Sequence, residues 1–240
     1  MTRLSVNINK VALIRNARGE NRPDLLQFAQ DCEEYGAQGI TVHPRPDERH
    51  IRYADLAPLK ALVKTEFNIE GYPNRKFIDK VCAVQPHQVT LVPDPPGVLT
   101  SSEGWDTIKH RDLLREVIGE FKAKGIRVSL FLEANEEAVS AAVETGTDRV
   151  EFYTGKYAQH YFAGREEAVK PHIAAARRAG ALGLGVNAGH DLDLDNLNYY
   201  VTQVPNLLEV SIGHALVSDA LYYGIQNVIG MYLHQINLSS

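Results

Sequence analysis

The stretch Gly39-Ile40-Thr41-Val42-His43-Pro44-Arg45-Pro46-Asp47-Glu48-Arg49-His50 decides the fold. Its β-branched start reads as a short buried strand, and it ends in a dense set of His, Arg and Pro. A strand that empties into proton-active and cationic groups marks the edge of an active site in an α/β protein. The rest of the chain then has to deliver matching groups to the same edge.

Outward from this stretch, apolar strands alternate with amphipathic helices. Strands are predicted over Leu4 to Ile8, Ile40 to Val42, Phe67 to Glu70, Gln88 to Val92, Arg127 to Leu132, Arg149 to Tyr153, Leu182 to Val186 and Leu208 to Ile212. Helices are predicted over Pro23 to Tyr35, Asp55 to Lys64, Arg75 to Val84, Arg111 to Ala123, Glu136 to Glu144, Glu166 to Ala179, Leu194 to Gln203 and Ser218 to Leu233. Eight strand–helix units in strict alternation imply parallel strands closed into a (β/α)8 TIM barrel, one α/β domain over residues 1–240. The alternative, an open doubly wound sheet, lacks a Gly-x-Gly-x-x-Gly after the first strand. Glu34 to Val42 is similar to Glu144 to Phe152, each a helix end, a Gly cap and a strand, half a barrel apart. The longer connections, Pro93 to Asp106 and Thr154 to Gly164, are candidate lids.

Composition limits the function. The 240 residues are 44% hydrophobic, enough for one large core, and the net charge of -5 argues against a nucleic-acid binder. No apolar stretch is long enough to span a bilayer and Met1-Thr2-Arg3 opens no signal peptide, so the expectation is a cytoplasmic protein without membrane contact. Cys32 and Cys82 read as reduced thiols packed as small hydrophobes.

In such a barrel the chemistry sits where strands run out. Strand one delivers Asn7, Asn9 and Lys10, with Arg15 and Arg18 beyond; strand two delivers His43 and Arg45, with His50 nearby. Strand three delivers Glu70, and Thr100 lies in the loop after strand four. Strand five ends at Glu133, and strand six holds Glu151 and leads to Lys156. Strands seven and eight close on Asn187-Ala188-Gly189-His190 and Ser211-Ile212-Gly213-His214. These two Gly-His ends suit a phosphate, because glycine lets a backbone N–H approach an oxyanion and a helix N-terminus adds a favourable dipole. His43 and Glu70 are the proton-transfer candidates, since imidazole titrates near neutrality and burial raises a carboxyl toward it. Glu151, inside an apolar strand, either tunes a neighbour or joins the chemistry. Arg18 and Arg45 suit a planar anion, whereas Arg15, Arg49 and Arg52 read as surface charge. Metal ligation by His43, His50, His190 and Glu70 is open to these residue types but lacks any compact ligand motif of the His-Glu-x-x-His sort.

Val6-Asn7-Ile8-Asn9, Arg15 to Gly19, Gly39 to Arg45, Asn68-Ile69-Glu70, Val128 to Phe131, Val186 to His190 and Ile212 to Ala215, in this order, resemble the pyridoxine 5′-phosphate synthase family of vitamin B6 biosynthesis. The resemblance implies a (β/α)8 barrel with extra helices, assembling as a homo-octamer. It implies condensation of 1-deoxy-D-xylulose 5-phosphate with 3-amino-2-oxopropyl phosphate, without an organic cofactor or metal. By the same resemblance His43 and Glu70 match general bases, His190 a proton donor and Glu151 a supporting carboxylate. Arg45, His50 and Thr100 match contacts to the xylulose phosphate. Asn7, Arg18, Asp191 (through its amide), Gly213 and His214 match contacts to the aminoketone phosphate. Two positions depart from the pattern. Asn9-Lys10 stands where the family often has Asp-His, and Asp191 where it usually has Gly. Lys10 retains the capacity to hold a phosphate or keto oxygen. Rival readings are a Schiff-base aldolase using Lys156 or Lys10, a metal-dependent sugar-phosphate isomerase and a non-catalytic phosphometabolite sensor.

Overall fold

A computed structural model describes residues 1–94 and 103–238. Its eight parallel strands close in sequence order into a barrel, β1 pairing with both β2 and β8. They are β1 (Arg3–Asn7), β2 (Gly39–Val42), β3 (Glu66–Gly71), β4 (Gln88–Leu91), β5 (Arg127–Leu132), β6 (Arg149–Tyr153), β7 (Gly185–His190) and β8 (Leu207–Ile212). The helices are α1 (Asn9–Asn16), α2 (Leu25–Glu34), α3 (Tyr53–Leu62), α4 (Arg75–Val84), α5 (Arg111–Lys122), α6 (Glu136–Ala142), α7 (Gly155–Ala181), α8 (Leu197–Gln203), α9 (His214–Tyr223) and α10 (Ile225–Asn237). The barrel expected from the alternation is the one observed, with helices beyond one per strand. Among the described residues, no helix is long and apolar enough to cross a membrane.

The core lies between the strands and the helices. Leu4, Val6, Ile40, Val42, Phe67, Ile69, Val89, Leu91, Val128, Leu130, Val150, Phe152, Val186, Ala188, Val210 and Ile212 are all fully buried and share one apolar cluster with the inner faces of the helices. Period-two alternation sends the intervening residues inside the barrel, and most of these are polar. Ser5 bonds Thr41 at 2.8 Å, Asn68 donates to Thr41 at 3.3 Å, and Thr90 donates to Asn68 at 3.2 Å. Barrel interiors of this class are ordinarily filled by branched apolar side chains. Here hydrogen-bonded layers hold the floor of the upper mouth.

Four segments differ from the sequence reading. Asn9–Asn16 is helical rather than loop; only Val11, Ala12 and Arg15 are buried on its eight residues, too few for a visible period. Arg15 is therefore not a surface charge: it lies 5% exposed, paired with Asp55. The expected lid after β6 is the first part of α7, which breaks from helical geometry only at Gly164. Tyr157 anchors that part, fully buried, with its hydroxyl on the Asn196 carbonyl at 2.7 Å. Strand β7 begins three residues later than Leu182 because Gly183, at φ 77°, closes the end of α7. Finally, the last predicted helix is two, separated by Gly224 at φ 77°. The similarity of units two and six has a structural counterpart: Gly36 and Gly146 both adopt positive φ, at 107° and 81°, just before β2 and β6.

Candidate active site

The C-terminal ends of the strands surround a cavity of about 450 Å³. Asn7, Asn9, Lys10, His43, Arg45, His50, Glu70, Glu151, His190, Gly213 and His214, read as site residues from strand ends, all line it, as does Asp191, expected from the resemblance. Arg18 does not; it is exposed beyond the end of α1. Thr100, like most of the expected lid after β4, lies outside the described residues.

Adjacent strands bring His43 and Glu70 together, with Nδ1 of the imidazole 3.7 Å from Oε2 of the carboxyl. Asn7 donates to the same oxygen at 3.5 Å. The first turn of α1 fixes this corner: Asn9 accepts the backbone N–H of His43 at 2.9 Å, and its own N–H donates to the Asn7 side chain. Further along α1, Arg15 grips both Asp55 oxygens, at 2.8 and 2.9 Å, and reaches the His50 carbonyl. Asn16 donates to that carbonyl at 2.7 Å. His50 Nδ1 accepts the Ile51 N–H, which leaves Nε2 as its protonated nitrogen when neutral.

Burial sets the protonation states. It holds His43 well below the ordinary imidazole value, and the Arg45 guanidinium adds to the effect. Burial also pushes Glu70 well above the ordinary carboxyl value, helped by Glu151 and opposed by Arg45. Glu151 itself is pushed up to about 7 by burial, against a lowering bond from Thr90. His50 is brought down to about 4, by burial and then by Arg45. Burial thus drives the imidazole toward its neutral form and the carboxyl toward its acid form, within reach of one small molecule. Arg45 is buried and bonded to Asp94 at 3.1 Å, which fixes its fork at the cavity wall.

The opposite wall comes from β6, β7 and β8. His190 sits at φ 102°, in the left-handed region that a β-carbon disfavours, at a cost on the order of 1–3 kcal/mol. Its ring meets Tyr153 edge-on at 5.4 Å, and its Nδ1 lies 3.0 Å from Asp191 Oδ2. The Asp191 N–H reaches Thr154 Oγ1 only at 3.3 Å, a long bond that a stronger acceptor can replace. A side chain at Gly189 would meet Glu151 Oε1 at 2.6 Å, so glycine there makes room for the buried carboxyl. At Gly213 a β-carbon would lie 3.0 Å from Asn7 Cβ and 3.1 Å from the Asn7 carbonyl. That close approach lets the N-terminus of α9 open onto the cavity, where its unpaired N–H groups suit an anion.

A family model described as pyridoxal phosphate biosynthesis protein PdxJ matches residues 4–238. The chain belongs to the PdxJ family. PdxJ relatives include the pyridoxine 5′-phosphate synthase of Flavobacterium johnsoniae, 57% identical, the match covering 98% of this chain and all of that protein. The enzyme of the same name from Cytophaga hutchinsonii is 58% identical, with 98% and 99% covered. Among solved structures, phosphoribosyl anthranilate isomerase of Thermotoga maritima superposes over 98% of each chain, with a TM-score of 0.61 at 14% identity. Tryptophan synthase of M. tuberculosis reaches 0.65 at 13% identity, with 98% and 94% covered. At those identities the likeness is one of fold alone.

Reading strand ends for ionisable groups passes over three PdxJ cavity residues, Val92, Phe131 and Tyr153. They form a small apolar cluster apart from the main core. An aromatic at the last inward position of a strand was the available signal. The chemistry of the rivals finds less support here. Lys156 is exposed, paired with Glu133 and away from the cavity. Among the described residues no group of three His, Cys, Asp or Glu converges to hold a metal ion.

Proposed function

We propose that this chain is a pyridoxine 5′-phosphate synthase, joining 1-deoxy-D-xylulose 5-phosphate to 3-amino-2-oxopropyl phosphate with loss of phosphate and water. The carrying observation is the His43 imidazole facing the Glu70 carboxyl across 3.7 Å, in a cavity that His190 and the Gly213-His214 turn also line. A volume of about 450 Å³ accommodates two small phosphorylated molecules.

The aminoketone brings its own amine, so its attack on the xylulose ketone needs no enzyme lysine. It needs proton removal from nitrogen and proton delivery to the departing oxygen. His43 takes the first role as a neutral base, and Glu70 supplies the proton it holds at rest. The exchanged states then reset across the short gap between them. Later eliminations and the ring closure again move protons, and His190, on the opposite wall, serves as donor there. Glu151 keeps Glu70 protonated by like-charge repulsion from below. Arg45 and His50 hold the xylulose phosphate; Asn7, the Asp191 amide, Gly213 and His214 hold the aminoketone phosphate. Lys10, at the cavity edge near His50, adds a cation to the first of these seats. Binding both phosphates positions the amine on the ketone, and such placement is worth several kcal/mol of the barrier.

The family resemblance also supports a cytoplasmic homo-octamer. Exposed Leu13 and Ile14 on α1, with Leu221 and Tyr222 on the neighbouring α9, offer apolar surface for such contacts. The test of the function is direct: the purified protein is mixed with both substrates and the ultraviolet absorbance of the aromatic product is followed. Appearance of pyridoxine 5′-phosphate with one phosphate released per ring is the expected result. No ring formation under conditions where a PdxJ relative is active would refute the assignment.

A further inference from the structure

His190 and Asp191 are adjacent in sequence, yet their side chains turn toward one another. This requires the unusual backbone at His190, whose φ of 102° directs the ring against Tyr153 and Phe131 rather than out along β7. Nδ1 then lies 3.0 Å from Asp191 Oδ2. A carboxylate can only accept, so Nδ1 must carry the proton. The same bond keeps the Asp191 carboxyl below its ordinary range, against the opposing effect of burial.

We propose that Asp191 is a positioning residue for His190: it fixes the Nδ1-protonated tautomer and the ring plane, and so makes Nε2 the nitrogen that exchanges protons with substrate. This rests on the proposed function for its consequence in turnover, but not for the tautomer itself. Neutral imidazole in water favours the opposite tautomer, with its proton on Nε2, so the carboxylate reverses an intrinsic preference. A histidine oriented by an aspartate in this way is the general device by which an imidazole is kept in its working form. Asp191 is about half exposed, so the effect is smaller than that of a fully buried partner. The charged and titratable groups around the imidazole and its carboxylate come from several elements. Glu151 and Tyr153 on β6, His43 after β2 and Asp191 face the ring, and His214 at the start of α9 acts on Asp191. Of these groups, Asp191 lies within hydrogen-bond distance of Nδ1.

The decisive measurement is the two-bond proton–nitrogen spectrum of the histidine rings at pH 8, with His190 assigned by its loss in His190→Gln. In the unaltered protein His190 shows the Nδ1-protonated pattern. In Asp191→Asn and Asp191→Ala it shifts to predominantly Nε2-protonated, and kcat falls about 10- to 100-fold while KM for each substrate changes less than about threefold. Asp191→Glu, which keeps a carboxylate, recovers part of both. An unchanged ring pattern in the Asn and Ala variants overturns the proposal, and so does a changed pattern with kcat within twofold of the unaltered protein. If the unaltered protein makes no product at all, the functional reading falls. The ring spectrum then decides the tautomer by itself.

Discussion

His43 and Glu70, on neighbouring strands, hold Nδ1 and Oε2 3.7 Å apart, with burial acting on the two groups in opposite directions. The imidazole is driven to its neutral form and the carboxyl to its acid form. In the proposed reaction Glu70 is then the group that gives a proton and His43 the group that takes one. Glu70→Gln keeps the shape and the neutral charge but cannot release that proton. We expect kcat to fall about 10²–10⁴-fold while thermal stability is unchanged or slightly raised. A Gln variant that keeps more than a tenth of the activity would remove Glu70 from the proton pathway.

Asn9 accepts the His43 backbone N–H and so holds the end of β2 in place beside Glu70. Asn9→Ala should cost about 1 kcal/mol of stability for the lost bond, and about tenfold in kcat as His43 loosens. Steady-state kinetics and urea unfolding on the same preparation separate the two effects. A loss of stability with kcat intact would mean that His43 is held by something else.

Arg15 and Asp55 tie α1 to α3 through a buried two-pronged pair, 6% and 16% exposed, and Arg15 also holds the His50 carbonyl. Arg15→Ala leaves a buried carboxylate unpaired and should destabilise the protein by about 3 kcal/mol or more. Arg15→Lys cannot make two parallel bonds, so it should fold yet raise KM for the xylulose phosphate as His50 moves. The check is a KM comparison for the two substrates; an equal rise in both argues against a local effect on His50.

Gly213 lies so close to Asn7 that a methyl group there would press on its side chain and carbonyl at 3.0–3.1 Å, and Asn7 must give way by a few tenths of an ångström. Gly213→Ala should weaken binding of the aminoketone phosphate about tenfold or more, while binding of the xylulose phosphate changes little. Competition by inorganic phosphate against each substrate in turn reads the difference. Equal weakening of both would place the two phosphate seats elsewhere.

Stability should fall as pH rises above neutrality. Inside the barrel Glu209 is pushed up to about 8 and Glu151 to about 7, both chiefly by burial. A carboxyl raised in this way binds its proton more tightly folded than unfolded. Its stabilisation is complete at low pH and is lost as pH rises through the folded value. The buried imidazoles of His50 and His172, both brought down to about 4, act in the opposite sense but only below the unfolded value of 6.5. Between pH 6.5 and 8 the carboxyls set the slope, about 1.4 kcal/mol per pH unit for Glu209 alone. Urea unfolding across this range should show the decline, and Glu209→Gln should flatten it. A flat profile in the unaltered protein would contradict the protonated state of the barrel carboxyls.

The alternation of strands and helices made the barrel legible, because period and order are local properties that closure only completes. The ends of those strands also announced most of the cavity, since a parallel barrel must bring every strand end to one rim. What local pattern did not carry was α1, whose eight residues bury too little to show a period, and with it the burial of Arg15. Nor did it reveal that Thr154 to Gly164 is largely helix rather than lid, a matter decided by the fit of Tyr157 against α8.

By itself, then, the sequence determined the fold, the family and which ionisable groups share one mouth. Only the tertiary structure decided how each of them is charged and aimed. It is the withdrawal from water, the like-charged neighbour inside the barrel and the turned backbone at His190 that drive His43 toward its neutral form, raise the Glu70 carboxyl and set Asp191 against the His190 ring. Those fields arise between residues far apart in the chain, and no local stretch contains them.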